Sequence, residues 1–127
     1  MKKIVLPLIA LSLLVACGGS GSKDDKKDEK KEAITDVSEN PDYKKGLALI
    51  ADNDCLTCHK VDEVLTGPSY RDVANKYAGA DTAVVYLGSK IIRGGTGVWG
   101  TTMMTPHSGI TKEEAETMAK YILLLKK

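Results

Sequence analysis

Apolar residues recur at helical spacing in four stretches of the C-terminal two-thirds of the chain. In the first, Leu47, Ile50 and Ala51 share a face, Asn40 can cap and Pro41 suits the opening turn, so a helix is predicted from Pro41 to about Ala51. SYRDVANKYAG, residues 69–79, places Val73, Ala74 and Tyr77 on one side and stops at Gly79. From Asp81 or Thr82, TAVVYLGSKIIRGG presents Val84, Val85, Leu87 and Ile91; a strand competes over its valines, but the length and the Gly94-Gly95 stop favour helix. The last stretch carries the clearest signal. Thr111 and Glu114 stand in capping-box spacing, and Ala115, Met118, Ala119, Ile122 and Leu123 follow the helical period. No turn of the Asn-Gly type separates alternating apolar runs, so no hairpin is predicted and the expected class is all-α.

Ahead of these helices the pattern changes twice. Met1-Lys2-Lys3 is basic, and Ile4 to Ala16 is an apolar run shorter than the about 17–25 residues that span a bilayer, which marks an export signal over residues 1–16. Leu14-Val15-Ala16-Cys17 resembles the lipobox of bacterial lipoproteins, in which the cysteine carries the lipid; an ordinary secreted protein with an incidental Cys17 is the alternative. Residues 17–40 then hold the lipidated cysteine and a stretch rich in Gly, Ser, Lys and Asp with nothing to build a core. Like charges at i, i+4, such as Lys23/Lys27 and Asp24/Asp28, each oppose helix by roughly 0.2–0.5 kcal/mol, so a flexible linker is expected. Such a coil would hold the domain of residues 41–127 about 25–30 Å from a membrane on average. Removing Lys2 and Lys3 with the leader turns a formal charge of +1 into −1, and no nucleic-acid partner is implied.

The domain has no phenylalanine and one tryptophan. A chain of this size buries only about 60% of its unfolded surface and usually needs a staple. Cys55-Leu56-Thr57-Cys58-His59 indicates one. A thioredoxin-like dithiol expects a βαβ setting that the pattern lacks, and a structural zinc site needs four ligands at spacings that His59 and His107 do not supply. Cys-x-x-Cys-His is the form of covalent haem attachment: two cysteines three apart bond the porphyrin and the adjacent histidine faces the iron. For the sixth position the candidates are Met103, Met104 and His107, and that position decides between electron transfer and chemistry on a bound ligand.

In order, CLTCH, TGPSYRDVANKYAG, IIRGGTGVWGTTMMTPH and the terminal EEAETMAKYILLLKK make residues 41–127 resemble the small bacterial class I cytochromes c of the c-551/c-552 type. The resemblance implies an all-α fold of helices and Gly-rich loops around one covalently attached haem c. It gives Cys55 and Cys58 the thioether bonds, His59 the first axial position and Pro68 the carbonyl that orients His59. It places Trp99 against the haem edge with a bond to a propionate, although plain core packing also suits a tryptophan there. The second axial ligand maps to Met104, with Met103 the second choice, and Gly46 is expected to meet Tyr121 where the first and last helices cross. Thr101, Met103 and Thr105 stand where the family commonly has prolines, which implies a less stiff loop, and His107 stands at the asparagine place. A solvent-facing or hydrogen-bonding His107 is expected, with ligation at raised pH the alternative.

The Gly94–Gly97 run is no phosphate loop, since no strand precedes it and no helix follows closely. No acid–base or nucleophilic constellation appears, so no catalytic residue and no enzyme activity are expected. With both axial positions filled, the expected function is a membrane-tethered, mono-haem electron carrier. Its partners would be redox proteins of a respiratory chain, met as a monomer at an exposed haem edge. It would be exported and lipid-anchored to a bacterial membrane, facing the periplasm or the cell exterior. A sensor or peroxidase-like domain with an open sixth position, and a fixed relay subunit of a larger oxidase or reductase, are the competing readings.

Overall fold

Asn40 opens the first helix by accepting the Asp42 amide on its side chain at 2.8 Å, and Pro41 occupies the first turn, where no partner for an N–H is needed. The computed structural model describes residues 36–127. Within them α1 runs Pro41–Asp52, α2 Tyr70–Tyr77, α3 Ala83–Arg93 and α4 Lys112–Leu124. Ser69 caps α2 by accepting the Asp72 amide at 3.0 Å. Thr111 and Glu114 form both bonds of the capping box on α4: the Glu114 carboxylate accepts the Thr111 amide at 2.9 Å, and the Thr111 hydroxyl accepts the Glu114 amide at 3.3 Å. Thr82 precedes α3 without a side-chain cap. The class is the expected helical one. The export signal, Cys17 and the linker up to residue 35 lie outside the described residues. A 3-10 turn over Val37–Glu39 precedes α1, and its Glu39 pairs with Lys44 at 2.8 Å.

One element was not expected. Gly95–Gly97 (β1) and Gly100–Met104 (β2) pair antiparallel, Gly97 opposite Gly100 and Gly95 opposite Met104, around the loop Val98-Trp99. The loop residues are bulky and apolar, unlike the Asn-Gly pair that advertises a tight hairpin.

Helix α4 packs against α1, α2 and α3 and carries the centre of the core, with Ala115, Met118 and Ala119 fully buried. Its crossing with α1 depends on Gly46: a Cβ there would sit 2.7 Å from the Thr117 carbonyl oxygen and collide with the Tyr121 side chain. The buried stripes of α1 and α3 are turned relative to expectation. Leu47, Ala51 and Val85 are exposed, and Gly46 and Ile50, then Ala83, Leu87, Gly88 and Ile91, face inward. The physical reason is that the closest helix contacts fall on Gly46 and Gly88, where missing side chains let backbones approach, and a hydropathy pattern does not count glycine as an interface residue.

Candidate functional site

The Cys-x-x-Cys-His segment winds into one tight turn after α1. Asp54 takes a left-handed conformation (φ 56°), Cys55–Thr57 form a 3-10 turn, and the Cys58 and His59 amides both donate to the Cys55 carbonyl, at 3.2 and 3.1 Å. The chain then loops and returns. The Gly67 amide donates to the Cys58 carbonyl at 2.8 Å, Tyr70 to Lys60 at 2.9 Å and Arg71 to Val61 at 3.0 Å, so the start of α2 is tied to the residues around His59. Arg71 pairs with Asp62 across this loop and donates to the Leu125 carbonyl, which binds the loop to the end of α4.

His59 is held on several sides. Its Nδ1 lies 2.8 Å from the Pro68 carbonyl oxygen; a carbonyl only accepts, so Nδ1 carries the proton and Nε2 keeps a free lone pair. That is the tautomer a metal-binding imidazole requires. Gly67 passes so near the ring that a Cβ there would lie 2.8 Å from Nδ1 and 3.0 Å from Nε2, which makes any larger residue incompatible with this histidine position.

These groups face a cavity of about 650 Å³, within the size range of cofactor pockets. Cys55, Cys58, His59, Pro68, Trp99, Met103, Met104 and His107 all line it, joining the loop after α1 to the strand β2 and the segment beyond. Ile50, Val73, Leu87, Ile91, Met118 and Ile122 belong at once to the core and to its wall, so the cavity cuts into the centre of the domain. Cys17 lies outside the described residues.

Cys55 and Cys58 form no disulfide. Burial pushes the Cys55 thiol up, the reverse of the lowered value that marks a reactive redox dithiol. Among the described residues no group of three or more His, Cys, Asp and Glu could hold a bare metal ion. A flat apolar group fastened through the two sulfurs fits the chemistry of this wall: two thiols at its edge, one imidazole with a free nitrogen, and aliphatic lining.

The two methionines differ in burial. Met104 packs against the core, whereas Met103 is 70% exposed, although both reach the cavity. Trp99, at the hairpin tip, is 44% exposed with the Lys76 ammonium 5.3 Å from its ring centroid, so it is a rim residue and not core. His107 is half-buried. Its amide donates to the Ile91 carbonyl at 3.1 Å, and its ring Nδ1 is buried without a protein partner. An orphaned polar atom in the wall of a cavity of this size marks a place where a bound group can satisfy it.

Sequence reasoning missed the neighbours of His59. Tyr70 stacks on the imidazole, ring centroids 5.3 Å apart and planes 16° from parallel, and Gly67 borders the same ring. The available signal was positional: both flank the Gly-Pro-Ser segment whose proline carbonyl takes the Nδ1 proton.

The Cytochrome c family model matches residues 43–126. Cytochrome c-552 of Hydrogenobacter thermophilus is 47% identical over 72 residues, 57% of this chain and 72% of that protein. Cytochrome c-551 of Stutzerimonas stutzeri is 33% identical over 126 residues, 99% of this chain and 100% of that one. The crystal structure of wild-type Nitrosomonas europaea cytochrome c552 superposes with a TM-score of 0.60 at 40% identity, covering 63% of this chain and 99% of that one.

Proposed function

The chain belongs to the cytochrome c family, and from that premise we propose that it is a membrane-tethered electron carrier serving respiratory redox partners. It carries one covalently attached haem c, with Cys55 and Cys58 in the attachment spacing. When bound, that group supplies reversible one-electron chemistry at its iron. Everything else is done by the chain's own residues.

Cys55 and Cys58 fix the group at the tight turn. His59 presents Nε2 to the metal, and Pro68 holds its Nδ1 proton, which fixes the tautomer and raises the basicity of the ring. Met104 would supply the second protein ligand to the metal, supported by its packing against the core, with Met103 the alternative. A thioether there would raise the potential relative to two nitrogen ligands and would leave no open position for substrate, which supports a carrier over an enzyme. Trp99 and Lys76 stand at the rim, where they would border the exposed edge of the bound group. Val98 and Met103 are exposed nearby, which suits the small, brief contacts of redox encounters.

The tether is Cys17, supported by the basic-then-apolar leader that ends in LVAC and by the charged linker of residues 17–40. Attachment would be by a lipid on the exported side, in the periplasm or on the cell exterior; among the described residues no helix is long and apolar enough to cross a membrane. Lipid incorporation lost in Cys17→Ser tests the anchor. The single observation that carries the carrier reading is that one cavity unites Cys55, Cys58 and His59 with Met104. Potentiometric titration with optical spectra tests it. A reversible one-electron wave is expected, with the weak far-red band of sulfur-to-iron coordination in the oxidised protein. Absence of that band, or ready carbon monoxide binding at neutral pH, would instead mark an open sixth position.

A further inference from the structure

We propose that Tyr70 is a positioning residue for His59, its ring setting the plane in which the imidazole presents Nε2 to the haem iron. The inference rests on His59 as iron ligand and extends it, from which atom binds to what fixes its angle.

A histidine ring turns about its last side-chain bond in a broad, roughly two-fold well, and a carbonyl accepts hydrogen bonds over a wide range of directions. The Pro68 contact therefore fixes the position of Nδ1 better than the tilt of the ring. A flat neighbour removes that freedom. Tyr70 lies 16° from parallel to His59 at 5.3 Å between centroids, inside the about 4.5–7 Å range of offset-stacked aromatic pairs.

The wall can orient its neighbour because it is itself held. Tyr70 is buried, at 4% exposure, and its amide donates to the Lys60 carbonyl, one residue beyond His59, so the backbones of the pair are tied directly. Ser69 fixes the helix start by its cap and by donating its hydroxyl to Asp72 at 2.7 Å. Tyr121 meets Tyr70 edge-on, at 6.4 Å and 85°, and Tyr121 is itself seated over Gly46 and against Tyr43 at 4.9 Å. The α1–α4 crossing thus reaches His59 through two tyrosine rings. Tyr70 also carries a hydroxyl, whose contribution the test must distinguish from that of the stacked ring.

The test uses the oxidised holoprotein and the pattern of paramagnetically shifted haem methyl resonances, which reports axial ligand orientation and not stability. Tyr70→Phe keeps the ring and loses the hydroxyl; its methyl pattern is expected to match the parent. Tyr70→Leu keeps apolar bulk and loses the flat face; its pattern is expected to shift while the far-red sulfur band persists. A native pattern in Tyr70→Leu overturns the proposal, and so does an equal shift in both variants, which assigns the effect to the hydroxyl. Should Tyr70→Leu fail to fold, the unmutated protein still decides. The His59 plane derived from its methyl shifts should lie near-parallel to the Tyr70 ring, as in the structure, and a crossed plane overturns the proposal. His59 ring protons without any paramagnetic shift overturn the ligand assignment and the positioning with it, an outcome none of the other failures produces.

Discussion

At the scale of single residues, the adjacent methionines give the sharpest contrast, because equal chemistry stands in unequal surroundings. Met104 is packed against the core, and a ligand must be held in place to compete with water; Met103 is 70% exposed and loses more side-chain freedom if it binds. Met104→Ala is expected to abolish the far-red band and lower the reduction potential, with Met103→Ala retaining both, and optical spectra with a redox titration check this. Survival of the band in Met104→Ala and its loss in Met103→Ala would reverse the assignment. Gly67 offers a second case. A methyl group there overlaps the His59 ring, so Gly67→Ala must displace the imidazole or the loop. Overpacking of this kind costs about 1–3 kcal/mol, read as a lowered denaturation midpoint, and a shifted Soret spectrum would show the histidine moving.

At the scale of elements, local chemistry that announces itself was legible and close packing was not. The box on α4 could be read from Thr111 and Glu114 alone because a cap satisfies backbone groups within four residues. Thr111→Ala is expected to cost about 1 kcal/mol in chemical denaturation, the usual worth of a cap. Bonds from Thr111 hold the Glu114 carboxyl below its ordinary value, the backbone one foremost. A carboxylate depressed in the folded state contributes stability above its unfolded value and loses it as pH falls through the folded one. The destabilisation in Glu114→Ala should therefore be largest near neutrality and shrink on acidification below the usual glutamate range; a difference independent of pH would refute the role of the charge. The hairpin and the rotated faces of α1 and α3 were illegible for a common reason. They depend on where backbones touch, at Gly46 and Gly88, or on a turn built from Val98 and Trp99, and apolar periodicity signals none of these; only the meeting of Gly46 with Tyr121 at the α1–α4 crossing was legible, through the family resemblance and not through the hydropathy pattern. The ingredients of the site were legible because Cys-x-x-Cys-His is contiguous; what steers His59, namely Tyr70 and Gly67, was not, since stacking is a relation between segments that only the closed loop creates.

At the scale of the whole molecule, the core and the site are one object. Ile50, Val73, Leu87, Ile91, Met118 and Ile122 gather around α4 but turn part of their surface to the cavity, so the chain alone leaves its centre unfilled. At about 24 cal/mol per Å³, a rigid, dry cavity of 650 Å³ would cost about 15 kcal/mol. This is an upper bound, because walls relax and the mouth admits water, yet it matches the whole stability of about 5–15 kcal/mol that a domain possesses. Even a third of it, about 5 kcal/mol, equals the lower end of that range, and the chain has no phenylalanine to add to its core. The covalent group is therefore the missing piece of the core as well as the redox centre, and binding to the native state alone adds its free energy to folding. Protein in which Cys55→Ser and Cys58→Ser prevent attachment should lose its cooperative thermal transition and its near-ultraviolet circular dichroism, while keeping part of its far-ultraviolet helix signal. A double variant free of haem that melts cooperatively with native-like near-ultraviolet signal would mean that the four helices close their own core, and the cavity would then be a binding pocket in a finished fold and not the centre of an unfinished one.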